Sequence, residues 1–284
     1  MNEKTYCLGL YEKSMPGTLS LPEKLEAARE AGFDFVELSI DETDEKLARL
    51  DMAAGERLSL VERMLRLGIR FETICLSGHR KYPLGSSDPP TRERGLAIME
   101  KAILLAKDIG VRLIQIAGYD VYYEPSTGQT RRLFADGLRR SVELAAKNGV
   151  TLAFETMETP FLNTVSKAME WVEKVDSPYL MIYPDSGNIT NAAAAEKRSV
   201  LDDMEAGRGR IAAVHLKESL PGKFREVPYG TGHVDFRSLI GKAYSMGVRR
   251  YMAEFWYAGR EDWKEDIRSA RRFFAEKFEE CGIR

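Results

Sequence analysis

Four residues of matching character recur late in the chain, each at the C-terminal end of a short apolar run: Glu155 in TLAFETM, Asp185 in LMIYPD, His215 in IAAVHLK and Glu254 in YMAEFW. Three carboxylates brought together away from water repel one another, and burying each costs several kcal/mol unless a cation is shared among them. A set of three carboxylates and one imidazole suits a hard or borderline divalent ion such as Mn, Zn, Co or Mg, and no thiolate stands in the pattern to favour a softer one. One divalent metal ion is therefore the expected cofactor. Glu12 and Glu37 are two further acids at strand ends; Glu37, inside FVELSI, can hold a substrate hydroxyl or pair with a lysine. Glu158 follows Glu155 by three residues and can support it from behind.

Cations gather in two segments. CLSGHRKYPLGSSDPPTRER carries Ser77, His79, Arg80 and Lys81, and is either a functional lid or an exposed basic loop. KESLPGKFREVPYGTGHVDF carries Lys217, Lys223 and Arg225 beside Gly230 and Gly232, where glycine amides and cations can grip a phosphate or the GTG can simply turn the chain. His233 reads as a turn residue. Trp256 and Tyr257 line either a pocket or an interface.

The elements that must position these groups are legible as a repeat. Eight apolar, strand-like runs start at Tyr6, Phe35, Arg70, Leu113, Thr151, Leu180, Ile211 and Tyr251, between 29 and 43 residues apart. That interval leaves room for one crossover helix after each strand, as parallel pairing requires. Between the runs, apolar residues recur at three- and four-residue steps, as in Leu21, Leu25 and Ala28, in Met99, Ala102, Ile103 and Ala106, and in Trp263, Ile267, Ala270, Phe274 and Phe278. Gly32, Gly68, Gly110 and Gly149 close several of these helices. Eight right-handed βα units close into a (β/α)₈ TIM barrel, here expected as a single α/β domain over residues 1–284; an open doubly wound sheet is the competing arrangement. In a barrel the C-terminal strand ends form the catalytic mouth, so Glu155, Asp185, His215 and Glu254 would meet at one level on four consecutive strands.

Composition narrows the function. The 284 residues hold 42 Lys+Arg against 44 Asp+Glu, so no general positive field invites nucleic acid. No run approaches the ~18 apolar residues of a membrane span, and no signal-like segment opens the chain. Three widely spaced cysteines, Cys7, Cys75 and Cys281, outside any CxxC, fit a reducing cytoplasm, and Cys7 reads as a small core residue. Neither GxxxxGK[ST], nor GxGxxG after a first strand, nor GxSxG is present.

The segments CLSGHRKYPLGSSD, GYDVYYE, ETMETPFLNT, YPDSGN, VHLKESLPGKFREVPYGTGHVDF and AEFW resemble the L-ribulose-5-phosphate 3-epimerases (L-xylulose-5-phosphate 3-epimerases) of the sugar isomerase and endonuclease-IV-like barrel superfamily, from the first strand to the last helix. The resemblance implies metal-dependent inversion at C3 of a ketopentose phosphate. It makes Glu155, Asp185, His215 and Glu254 the metal ligands, with Glu155 and Glu254 doubling as the proton-transfer pair. Glu37, Ser77, His79, Arg80, Glu158, Asn188, Lys217, Lys223 and Arg225 are the expected substrate contacts. Related free-ketose epimerases carry a histidine where Asn188 stands and a single arginine where Lys217, Lys223 and Arg225 follow the histidine strand, and both departures fit a phosphorylated substrate. Aldose–ketose isomerisation, free-ketose epimerisation and inosose-type dehydration use the same kind of metal site, and a non-catalytic sugar-phosphate binder is a further reading. A multizinc nuclease needs more than the three histidines His79, His215 and His233. A small-molecule partner, no nucleic acid, no membrane and a homo-oligomer (dimer or tetramer) complete the expectation.

Overall fold

The computed structural model describes residues 4–284. Eight parallel strands, β1 (Cys7–Tyr11), β2 (Phe35–Ile40), β3 (Phe71–Leu76), β4 (Leu113–Ala117), β5 (Thr151–Glu155), β6 (Leu180–Tyr183), β7 (Val214–Leu216) and β8 (Arg250–Ala253), pair in the order β6-β5-β4-β3-β2-β1-β8-β7. Among the described residues ten α-helices surround them: α1 (Leu21–Glu30), α2 (Asp44–Ala48), α3 (Ala54–Leu67), α4 (Pro89–Ile109), α5 (Gly128–Lys147), α6 (Val165–Val175), α7 (Ser186–Glu196), α8 (Val200–Ala206), α9 (Phe236–Ser245) and α10 (Trp263–Glu280). The expected TIM barrel is thus the observed fold, with an extra helix in the second and sixth units. Among the described residues no helix is long and apolar enough to cross a membrane.

The barrel closes most sparsely between β6 and β7. There the ladder is reduced to isolated bridges, Ile182 with Ile211 and Asp185 with His215, and to three backbone bonds: the Ile182 amide to the Arg210 carbonyl at 2.8 Å, the Ala212 amide to the Ile182 carbonyl at 2.9 Å and the His215 amide to the Pro184 carbonyl at 2.9 Å. The last pairing that shuts the barrel therefore sets two of the four singled-out residues side by side.

Sequence periodicity explains the two layers of core. Outward-facing strand residues such as Leu8, Val36, Ile74, Ile114 and Leu152 pack against helix residues including Leu25, Ile103, Leu138 and Phe274. Inward-facing ones, Tyr11, Phe35, Cys75, Leu113, Ala153, Tyr183, Ala213 and Met252, form a separate cluster that fills the barrel. Gly9 belongs to that filling: a Cβ there would lie 2.5 Å from the Phe35 ring and 2.7 Å from the Met252 methyl, so only glycine lets both occupy the axis. Cys7 departs from its expected place in the core. It opens β1 at the bottom of the barrel, where no further layer of side chains covers it, and it is exposed. At the helix ends, Gly68 and Gly110 stop α3 and α4 at φ of 68° and 82°, in the left-handed region that glycine enters without strain.

Candidate metal centre

Glu155 ends β5, Asp185 caps the N-terminus of α7 just beyond β6, His215 is the middle residue of β7, and Glu254 follows β8. Each offers one donor atom, and the four atoms lie within 4.8 Å of one another. All four residues are buried.

Hydrogen bonding fits a cation at this point. Asp185, Glu155 and His215 are held from behind, while Asp185, His215 and Glu254 each keep one buried atom without a partner. Asp185 Oδ1 accepts from the Asn188 amide at 2.7 Å and pairs with Lys217 Nζ at 3.0 Å, whereas its buried Oδ2 has no hydrogen-bond partner. Glu155 Oε2 accepts from Gln115 Nε2, leaving Oε1 3.5 Å from His215 Nδ1. Glu254 Oε2 lies 3.0 Å from that same nitrogen, yet neither atom is aligned to bond the other. Buried polar atoms almost always find partners, so Asp185 Oδ2, His215 Nδ1 and Glu254 Oε2, orphaned around one point, mark a shared missing partner. Three oxygens and one imidazole nitrogen are the donor set of a divalent ion.

The field of the cluster follows from its charges. Burial opposes a charge on His215, but the Glu37 and Glu254 carboxylates beside it hold its pKa well above the usual imidazole value. Burial likewise opposes ionisation of Glu254, and His215 and Lys217 overcome it, holding this carboxyl well below its usual range. Lys217 stays charged because Asp185, Glu254 and Glu155 outweigh its burial. A thiol is nearer than the sequence suggests, since Cys75 points into the barrel, but burial raises its pKa well above normal and keeps it protonated.

The remaining expected contacts separate into rim and interior. At the rim, the Arg80 guanidinium lies 4.9 Å from the Tyr122 ring and Arg225 lies 5.7 Å from the Trp256 ring. Glu158 sits between them, accepting from Tyr122 at 3.2 Å and approaching Arg225 at 3.6 Å. Lys223 is exposed on the same loop, while Ser77 is half-buried where β3 ends. Four expected substrate contacts point elsewhere. His79 turns away from the mouth and reaches the Gly95 carbonyl of α4 at 3.0 Å, because the turn at Ser77–Arg80 packs beneath that helix. Glu37 pairs with no lysine among the described residues: it is fully buried, and its oxygens are taken by Thr73 and His215, each at 2.8 Å. Asn188 donates to the Thr156 carbonyl and accepts from Lys217, and Lys217 in turn is committed to Asp185. Those two stiffen Asp185 from behind. The GTG segment is a turn: buried Glu218 takes the Gly230 and Val234 amides at 3.0 and 3.2 Å, leaving no nest for a phosphate. His233, 3.0 Å from Ser219 Oγ, belongs to that turn.

Several participants escaped sequence reasoning. Gln115 and Thr73 are lone polar residues at inward positions of β4 and β3, a signal that strand alternation carries. Tyr119 is buried with an unpartnered hydroxyl, in electrostatic reach of Arg80, Glu155 and Glu158. Beside Glu254, a cavity of about 710 Å³ is lined by Lys217, Tyr229, Trp256, Tyr257, Arg260 and Phe273, which places Trp256 and Tyr257 on a pocket.

Residues 25–277 match the family model of the xylose isomerase-like TIM barrel. Over all 284 residues the chain is 43% identical to L-ribulose-5-phosphate 3-epimerase UlaE of Escherichia coli O139:H28, covering 99% of that protein, and 42% identical to the protein of the same name from Escherichia fergusonii over the same spans. The chain belongs to the L-ribulose-5-phosphate 3-epimerase family. Solved structures reproduce the barrel at lower identity. An L-ribulose 3-epimerase superposes with a TM-score of 0.78 at 20% identity, covering 97% of this chain and 95% of that one. A D-psicose 3-epimerase from Clostridium cellulolyticum H10 gives 0.79 at 15%, covering 95% and 98%. At these identities the likeness speaks for the fold, and the full-length relatives of this L-ribulose-5-phosphate 3-epimerase family member speak for the family.

Proposed function

We propose that this protein interconverts L-ribulose 5-phosphate and L-xylulose 5-phosphate by inverting C3. The observation that carries the chemistry is the placement of two carboxylates, Glu155 Oε1 and Glu254 Oε2, on β5 and β8 at 3.5 and 3.0 Å from His215 Nδ1. A C3 proton next to the C2 carbonyl is acidic enough for a carboxylate to remove if the resulting enediolate is stabilised. A divalent ion held by Glu155, Asp185, His215 and Glu254 would supply that stabilisation as a Lewis acid. One glutamate takes the proton from one face and the other returns a proton to the opposite face, so the reaction inverts the centre with no net proton change. Gln115 orients Glu155, and Lys217 with Asn188 orients Asp185. Arg80, Lys223 and Arg225 are the cations we assign to the phosphate, with Tyr119, Tyr122, Glu158 and Ser77 beside the sugar. The four interior ligands need not change for a free ketose, so the rim is where selection for a phosphate would act. A cytoplasmic location fits cysteines that are all free.

Proton NMR in D₂O tests the reading directly. L-ribulose 5-phosphate should gain deuterium at C3 as L-xylulose 5-phosphate appears, whereas an aldose product or dehydration would reject it. Glu155→Gln and Glu254→Gln should each retain the fold and lose at least ~10²-fold in turnover, the usual size of a general acid–base contribution.

A further inference from the structure

The interior of the barrel contains a carboxylate that faces neither solvent nor the mouth. Glu37 lies on β2 and His215 on β7, yet Glu37 Oε2 is 2.8 Å from His215 Nε2, and both side chains are fully buried. Its other oxygen accepts from Thr73 Oγ1 at 2.8 Å, so the carboxylate is clamped from β3. No lysine or arginine pairs with Glu37 among the described residues, which leaves His215 as its ionic partner. The imidazole is held against rotation by the Tyr183 ring, whose centroid lies 4.5 Å away at a steep angle.

This arrangement has a consequence for the other imidazole nitrogen. A carboxylate oxygen only accepts, so Nε2 must carry a proton at 2.8 Å from it; otherwise two lone pairs would face each other between fully buried side chains. With Nε2 protonated in the neutral ring, Nδ1 carries the free lone pair. Nδ1 is the nitrogen that lies among Glu155, Asp185 and Glu254, and it has no hydrogen-bond partner of its own. We infer that Glu37 is a positioning residue that selects the His215 tautomer, with Thr73 fixing the carboxylate, and so presents the Nδ1 lone pair to a divalent ion. The inference rests on the metal-centre reading above but on no choice of sugar.

The three histidines of this chain make the tautomer directly observable. In ¹⁵N-histidine-labelled protein titrated with Zn²⁺, long-range ¹H–¹⁵N correlation should show His215 protonated at Nε2 and shifted at Nδ1 as the ligating nitrogen. Calorimetric titration of chelator-treated protein with Zn²⁺ should show Glu37→Leu binding 10- to 100-fold more weakly, the usual cost of losing a support behind a metal ligand. Glu37→Gln, whose carbonyl still accepts the N–H, should recover part of that loss, and Thr73→Val should fall between it and the parent. A loaded parent protein ligating through Nε2, or Glu37→Leu and Glu37→Gln binding as tightly as the parent, would overturn the inference. If Glu37→Leu does not fold, the parent spectrum and the Gln and Val variants decide it alone. No binding of any divalent ion by the parent would instead refute the metal-centre reading.

Discussion

His79 shows how burial changes what a single residue does. Its sequence neighbours, Ser77, Arg80 and Lys81, suggest a polar loop at the mouth, yet the ring is buried and bonded to the Gly95 carbonyl. Burial pushes its pKa down to about 4, against the smaller upward pull of that hydrogen bond. In the folded chain it is therefore neutral, while in the unfolded chain it protonates below ~6.5. Between these values the unfolded state binds more protons, so stability falls as pH drops from ~6.5 towards 4, by up to about 3 kcal/mol from this group. Urea denaturation at pH 7.5 and pH 4.5 should show a smaller pH-dependent loss for His79→Gln than for the parent. Parallel losses in the two proteins would contradict the assignment, whatever the variant costs at neutral pH.

At the scale of elements, the junction of the first two βα units depends on Glu12. This buried carboxylate follows β1 and accepts from Lys24 of α1 at 3.1 Å, Lys46 of α2 at 2.8 Å, Arg49 at 2.6 Å and the Ser39 amide of β2 at 3.0 Å. Burial alone would raise its pKa; Arg49, Lys24 and Lys46 bring it down to about 2. A carboxyl depressed from ~4.5 contributes stability above that value and loses it as pH falls towards 2. Glu12→Gln strands buried cations and should destabilise the protein by about 3–5 kcal/mol. Adding Arg49→Gln should cost less than the sum of the two single changes, because both act on one network; strict additivity in denaturant midpoints would argue against the network. The contrast with the metal centre explains what sequence makes legible. Strand periodicity and the regular βα interval are short-range signals, and they located the eight strands and the cluster of Glu155, Asp185, His215 and Glu254. The partners of Glu12, Glu37 and Lys217 are fixed only when separate units meet. A lysine two residues after His215 looks free for phosphate until β6 brings Asp185 to it, and Glu37 meets His215 only across the closed barrel.

For the whole molecule, the barrel closes where the candidate metal centre is built, so closure and ion binding would be linked. The β6–β7 seam is held by isolated bridges, one of which joins Asp185 to His215. Around it, buried Asp185, His215 and Glu254 leave polar atoms without partners, a cost that the rest of the fold must offset. An ion bound to all four ligands ties β5, β6, β7 and β8 together and exists only in the folded state, so its binding energy adds to global stability. At ~100 times its dissociation constant the gain is about 2.7 kcal/mol. At roughly 1.7 °C per kcal/mol for a chain of this size, that is a rise of about 4–5 °C in Tm. Scanning calorimetry of chelator-treated protein with Mn, Co, Zn or Mg should show this rise for at least one ion, and Glu254→Gln should blunt it. The seam should respond most: amides of β6 and β7 should gain hydrogen-exchange protection beyond those of β2 and β3, which already pair along a ladder broken only between Val36 and Glu37. A uniform gain across the sheet would mean that the ion stabilises the fold without acting at its closure.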